Sequence, residues 1–298
     1  MSTIGLALGG GGAKGFAHVG VLRALEQLDI KADLVVVASM GGIIGAMYAA
    51  GLSVDRIETH LRATGLTVLA SREQSHLGLF GRDKVVRWLH QVVGDVTFEQ
   101  LARKLAVVAV DLESEAEVIL DSGPVVDALL ATSAFPGVFA PVRCNGRYLI
   151  DGGVLNNVPF DVARHLGADH VIACSVSFHR HSLFQNETLI GESEPFVRQL
   201  ASRGGVANIW AVVERTLAIM QDGHLKRKLA ECPPDVLLCP EVGHVGLFDV
   251  RQYDACLAAG MAAVYAHETE LIVLRNRAAR PPRPPIFWKK LRGFLRMS

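Results

Sequence analysis

The 298-residue chain is half apolar and carries 30 Lys or Arg against 30 Asp or Glu, a formal charge of zero. A chain of that size can bury a large core, in one α/β domain or two small ones. No run of about 18 apolar residues occurs, which argues against a spanning helix; no basic segment leads a long apolar one, which argues against a secretory signal. The zero charge hides an asymmetry. Arg275 to Ser298 holds eight Lys or Arg and no Asp or Glu, leaving 22 cations against 30 anions upstream. An acidic body with a basic tail points to a tail that meets an anionic surface.

In chain order, Ile4 to Leu8 reads as a buried strand, followed by a glycine cluster and a helical stretch from about Ala13 to Leu28. Leu34 to Ala38 is an unbroken apolar run, as expected of a strand covered on both faces. Gly41 to Ala50 has helical spacing, with Gly51 as its stop and Ser53 as a cap for the next helix. Further strands are expected at Leu105–Val110, Val118–Leu120, His170–Val176 and Val236–Cys239. Helices are expected near Asp83–Val93, Pro124–Ala131, Pro159–His165, Gly205–Glu231 and Gln252–Arg275. Alternation of this kind predicts an α/β fold, a mainly parallel central sheet sandwiched by helices. Asn145-Gly146 between short extended pieces is a hairpin signal, so part of the sheet is expected to be antiparallel. Arg280-Pro-Pro-Arg-Pro-Pro285 cannot continue a helix and divides the chain into a domain, 1–275, and a tail, 276–298.

The five cysteines are scattered and form no Cys-x-x-Cys pair, so they read as buried or free thiols in a reducing compartment. His179 and His181 sit in a polar loop with no cysteine or carboxylate beside them, and no metal site is expected.

Three motifs carry chemistry. The first, Gly9-Gly-Gly-Gly-Ala-Lys-Gly15, follows a strand and opens a helix. Uncovered amides at a helix N-terminus favour negative charge, either a phosphate or the oxyanion of an acyl intermediate. Gly10-x-Gly12-x-x-Gly15 has the dinucleotide spacing, but Asp33 precedes the second strand where an acidic residue should end it. The P-loop pattern fails as well, because Lys14 is followed by Gly15 and Phe16. The second motif is Val37-Ala38-Ser39-Met40-Gly41, a serine between strand and helix. Such a serine is either a helix cap or a nucleophile on a sharp turn, crowded enough to need small neighbours such as Gly41 and Gly42. The third is Asp151-Gly152-Gly153 after the apolar Tyr148-Leu149-Ile150: an ordinary turn, or a carboxylate projecting from a strand end as a general base.

Together these motifs resemble the patatin-like phospholipases, particularly their compact bacterial branch. Ile4-Gly-Leu-Ala-Leu-Gly-Gly-Gly-Gly-Ala-Lys-Gly-Phe-Ala-His-Val-Gly-Val-Leu-Arg-Ala-Leu25 is similar to that family's opening stretch. Ser39-Met-Gly-Gly-Ile-Ile-Gly-Ala-Met-Tyr-Ala-Ala-Gly51 resembles its elbow and following helix. Ala131-Thr-Ser-Ala-Phe-Pro-Gly-Val-Phe-Ala-Pro141 and Asp151-Gly-Gly-Val-Leu-Asn-Asn-Val-Pro159 resemble the segment bearing its aspartate. Even Val245-Gly-Leu-Phe-Asp249 has the family's character. The likeness runs from about Thr3 to Leu274; the tail and 178–204 lie outside its specific motifs.

What the resemblance implies is a lipid acyl-hydrolase with Ser39 as nucleophile and Asp151 as general base, a dyad without histidine. The amides around Gly10, Gly11 and Gly12 would form the oxyanion hole, with Gly15, Gly41, Gly152 and Gly153 supporting the motifs. The substrate would be a phospholipid or another acyl ester, and no metal or organic cofactor is required. Thioesterase or carboxylesterase chemistry uses the same dyad. Most relatives carry glycine two residues before the serine, where this chain has Val37. That departure raises the alternative of a non-catalytic, membrane-associated regulator. Restoring glycine there should raise the rate or leave it unchanged.

The tail segment Ile286-Phe-Trp-Lys-Lys-Leu-Arg-Gly-Phe-Leu-Arg296 interleaves apolar residues with cations. As a short helix it would lay Phe287, Leu291, Phe294 and Leu295 into a bilayer surface, each cation adding about 1 kcal/mol of attraction to anionic lipid. The alternatives are a disordered solubilising tail, or one packed on the acidic body of its own or another subunit. No nucleic-acid partner is expected, because no supporting fold accompanies the basic segment. The expected location is cytoplasmic, peripheral at the inner face of the membrane.

Overall fold

The structure, a computed structural model, describes residues 2–64, 83–177 and 206–279. His179, His181 and the basic segment from residue 280 lie outside the described residues. The chain opens with β1 (Ile4–Leu8), a 3-10 turn over Gly12–Phe16 and α1 (Ala17–Gln27). β2 (Leu34–Val37) leads into α2 (Met40–Ala49), α3 (Val54–Thr64) and, further on, α4 (Asp83–Val93). β3 (Lys104–Asp111) and β4 (Ala116–Leu120) precede α5 (Val125–Thr132), then β5 (Val142–Cys144) and β6 (Arg147–Asp151). Short helices α6 (Gly153–Asn156) and α7 (Phe160–His165) lead to β7 (His170–Cys174). α8 (Val206–Glu231), β8 (Val236–Leu238), α9 (Tyr253–Tyr265) and α10 (Glu268–Ala278) complete the described chain.

Among the described residues eight strands form one sheet. β8, β7, β1, β2 and β3 run parallel, while β4, β5 and β6 add antiparallel pairs. The hairpin between β5 and β6 turns at Asn145-Gly146, whose φ values of 50° and 80° give the two left-handed residues a tight hairpin needs. The fold class expected from the alternation is therefore the fold observed.

Side chains alternate across the strands. Leu6, Leu8, Val35, Val37, Leu105 and Val107 face a core shared with α1, α2, α4, α5 and the C-terminal helices. Ala7, Leu34, Val36, Ala106 and Val108 face a second core closed by Phe160 and Val162 of α7 and Leu225 of α8. Helices therefore cover both faces. α2 is sandwiched within the first layer, and nine of its ten residues are buried.

Two expected elements differ. The glycine run prevents a helix from starting at Ala13; Gly12, at φ 56°, opens a 3-10 turn, and regular α-helix begins only at Ala17. The expected continuous helix over Gln252–Arg275 breaks at Ala266-His267, where α9 and α10 meet at 66°. No Gly or Pro marks that break. Among the described residues no single helix is long and apolar enough to cross a membrane.

Candidate active site

Ser39 sits where β2 turns into α2, and the turn is sharp. Its φ of 52° and ψ of −125° lie where side-chain-bearing residues rarely go, at a cost of about 1–3 kcal/mol. The strain is held from both sides. Ser39 N donates to Thr132 Oγ1 at 2.8 Å, and Thr132 Oγ1 donates in turn to Val108 O at 2.6 Å. On the helix side, Gly42 N donates to Ser39 O at 2.8 Å. Thr132 is fully buried, so losing its hydroxyl would strand two backbone groups at about 1–3 kcal/mol each. Gly41 lies against the carbonyls of Leu8 and Gly9, and Gly15 against the Met40 side chain. A larger residue at either position would push the elbow out of place.

Val37 does not distort this turn. It is fully buried, pairs in register with Leu8 and Val107, and packs on α2. The room comes from the helix: a Cβ at Gly45 would stand 2.5 Å from Val37 Cγ1, closer than atoms can pack. Bulk absent from α2 is present on β2.

Asp151 reaches Ser39 through the sheet. β4 occupies one edge of β3 over Val107–Asp111. β2 follows the other edge as far as Val37 opposite Val107, and β6 takes up that same edge where Asp151 faces Ala109. The two strands meet end to end, with Ser39 just past one end and Asp151 at the other. Gly152 lies directly against Val108 O, so the chain can leave the strand there only without a side chain.

The Asp151 carboxylate is 2% exposed. Its Oδ1 accepts the Gly153 amide at 2.7 Å, while among the described residues no donor closes on Oδ2. The Ser39 hydroxyl is nevertheless near enough to favour the ionised carboxylate. Burial raises the Asp151 pKa to about 6, and the Ser39 hydroxyl and Gly153 amide only partly oppose it.

The glycine loop divides its amides. Gly9 N donates to Cys174 O at 3.0 Å and Gly10 N to Asn157 O at 3.2 Å. Ala13 N is taken by Leu247 O at 2.8 Å. Among the described residues no acceptor takes Gly11 N or Gly12 N, and both residues are partly exposed. Of the three glycines expected to offer donors, Gly10 thus acts as an anchor and its two successors carry the free N–H groups. Beneath the loop, fully buried His18 bonds Gly9 O through Nε2 at 2.7 Å. Burial lowers its pKa to about 4, against that hydrogen bond, so at neutral pH the ring is uncharged and Nε2 is the donor.

Ser39, Asp151, Gly10, Gly11 and Gly12 all border one cavity of about 220 Å³. Its walls are mostly apolar, from Ile43, Phe135, Val138, Phe139, Leu247 and Val250. Gly15, Gly41, Gly152 and Gly153 pack behind it. One wall had no sequence signal: Glu214, Leu217, Ala218 and Gln221 present one face of α8 at helical spacing. The helix is held there by buried Leu225, by an ion pair of Lys228 with Asp161 and by His224 Nδ1 on Leu155 O at 3.1 Å. Thr132 and Asn157 were also without an assigned role. Both lie inside motif segments, but their partners are distant in sequence.

A strained serine beside a buried aspartate, under a loop with free amides, is an arrangement for attack on an acyl carbon. Known proteins share its framework. A sequence model described as Patatin-like phospholipase matches residues 6–164, a span that holds the glycine loop, Ser39 and Asp151. Among the relatives, an uncharacterized NTE family protein of Mycobacterium tuberculosis is 35% identical over 176 residues, 58% of this chain and 49% of that protein. Human patatin-like phospholipase domain-containing protein 6 is 34% identical over 184 residues, 59% of this chain and 13% of that protein. The match thus spans about half of the mycobacterial relative and a small part of the human one. Among solved structures, VipD from Legionella pneumophila superposes with a TM-score of 0.56 at 13% identity, covering 91% of this chain and 66% of that one. With more than half of its residues matched by the family's sequence model, the chain belongs to the patatin-like phospholipase family.

Proposed function

We propose that the protein is a lipid acyl-hydrolase acting on phospholipids or other acyl esters through a Ser39–Asp151 dyad. The observation that carries this reading is Ser39 on its strained elbow, facing a buried carboxylate with one oxygen unpartnered. Asp151, ionised, accepts the Ser39 proton as Oγ attacks the ester carbonyl. Gly11 and Gly12 N–H receive the oxyanion. The leaving alcohol departs with the proton, and an acyl-serine remains. Water then gives a proton to Asp151 as its oxygen attacks the acyl-serine; the fatty acid leaves and Ser39 Oγ takes that proton back, restoring the ionised Asp151. The apolar walls suit an acyl chain, and Lys14 and Glu214 give the cavity polar groups for the rest of the ester. The alternative of a non-catalytic regulator is motivated by Val37; the packing of that side chain against Gly45 favours the hydrolase reading.

Incubation with a panel of phospholipids, followed by mass spectrometry of the products, should show free fatty acid. Release from none of them, nor from short-chain p-nitrophenyl esters, would sink the proposal. The base must be ionised, so kcat/KM should rise with pH through about pH 6 and then level off. A pH-independent rate between pH 5 and 8 would remove Asp151 from the role of base.

We take residues 1–275 as the hydrolase domain and the basic segment after it as a peripheral contact at the inner face of the membrane. The charge asymmetry supports this reading. In the full chain, the double substitution Lys289→Glu and Lys290→Glu should weaken co-sedimentation with phosphatidylglycerol vesicles several-fold. Unchanged binding would count against a membrane role for the tail.

A further inference from the structure

One carbonyl in the glycine loop is held twice. Gly10 O accepts from Asn157 Nδ2 at 3.2 Å and from Ser177 Oγ at 3.0 Å. The two donors come from opposite parts of the chain, Asn157 from beyond Asp151 and Ser177 from beyond β7. The Asn157 backbone also takes Gly10 N at 3.2 Å, so this residue grips Gly10 at both its polar atoms. Among the described residues the peptide bonds are all trans. In a trans peptide the carbonyl and the following N–H point in opposite directions. Fixing Gly10 O therefore fixes the direction of Gly11 N–H, one of the two free amides at the cavity. The next plane is set within the loop, where Gly11 O accepts Lys14 N at 3.2 Å and turns Gly12 N–H the other way.

Glycine peptides rotate more freely than any others, so a free amide in a glycine run is not aimed by its own backbone. An external clamp is needed. Asn157 is 8% exposed, and its side-chain amide is used on the loop rather than left to solvent.

We propose that Asn157 and Ser177 are positioning residues that clamp the Gly10–Gly11 peptide plane and so aim the Gly11 N–H at the developing oxyanion. This rests on the acyl-hydrolase reading above. Neither side chain needs to touch the reacting atoms. Because both hold one oxygen, either alone retains part of the alignment, and losing both should cost more than the two single losses combined.

The test uses Asn157→Ala, Ser177→Ala and the double variant, with Ser39→Ala alongside, in the full-length protein on p-nitrophenyl butyrate. Asn157→Ala should lower kcat by about 10- to 100-fold, less than removal of an oxyanion donor itself, with KM changed by less than about threefold. Its Ki for an alkyl trifluoromethyl ketone, which binds as a serine adduct bearing the oxyanion, should rise by the same factor as kcat falls. The Ki of a simple alkyl alcohol, which forms no oxyanion, should stay unchanged. An Asn157→Ala variant with full kcat and full ketone affinity would overturn the proposal. So would a parallel loss of ketone and alcohol binding, which marks mere deformation of the cavity. Should Asn157→Ala fail to fold, Ser177→Ala removes only a half-buried hydroxyl and carries the same readouts with a smaller effect. Ser39→Ala separates the two claims: if it stays active, the dyad itself is wrong, whatever Asn157 does.

Discussion

Ser39→Ala is expected to lower ester turnover by about 10⁴- to 10⁶-fold, and Asp151→Asn by up to about 10⁴-fold. The two losses should not add, because nucleophile and base act in one step. The double variant should be no slower than Ser39→Ala. Asp151→Asn carries a second expectation of opposite sign. The folded protein holds the Asp151 proton up to about pH 6, whereas the unfolded chain releases it near the ordinary value of 3.8. Between those values the folded state binds more protons, so this group's contribution to stability falls as pH rises and stays at its low level above pH 6. A neutral amide escapes that penalty. Asp151→Asn should therefore raise Tm at pH 8 while removing activity, as expected where function requires a destabilised site. Below about pH 3, under both values, the carboxyl is largely protonated in both states and the gain should vanish. A lower Tm at pH 8 would mean that Asp151 is retained for structure.

Val37→Gly is expected to destabilise the protein by about 3 kcal/mol. Removing a fully buried valine leaves a cavity between β2 and α2, and glycine in a strand interior adds about 0.5–1 kcal/mol. For a chain this long that corresponds to a Tm fall of about 6–12 °C. Gly45→Ala should also destabilise, by about 1–3 kcal/mol, because its methyl group would enter the Val37 side chain. The double variant should be more stable than Val37→Gly alone, since the alanine occupies the vacated space and favours helix. Strictly additive losses would show that the two positions do not share a contact. From the sequence alone, glycine at position 37 was expected to raise the rate or leave it unchanged. The packing now narrows that to no gain, measured as kcat/KM below the melting range. A clear increase would mean that Val37 does narrow the approach to Ser39.

Much of this fold could be read without coordinates where local chemistry decides it. β1 and β2 are unbroken apolar runs because both faces of the sheet are covered, and α4 matches its expected bounds, Asp83–Val93, because one face alternates with solvent. The hairpin at Asn145-Gly146 follows from two residues that tolerate positive φ. The break between α9 and α10 was not legible, since no turn-forming residue marks it and packing alone decides it. The site divides in the same way. Ser39, Asp151 and the glycines announce themselves by strand ends and small neighbours. Their meeting depends on β2 and β6 sharing one edge of β3, a register that spacing cannot reveal. Thr132 reaches Ser39 N across 93 positions, and Asn157 reaches Gly10 O across 147. Nor does the apolar and charged pattern of α8 say which face would wall a cavity.

The most direct test is to treat the full-length protein with an alkyl fluorophosphonate at pH 8 and map the adduct by mass spectrometry of its peptides. The dyad predicts a single phosphonylated residue, Ser39, with labelling lost in Ser39→Ala and strongly slowed in Asp151→Asn. Labelling at another serine, or none at Ser39 in folded protein, would contradict it.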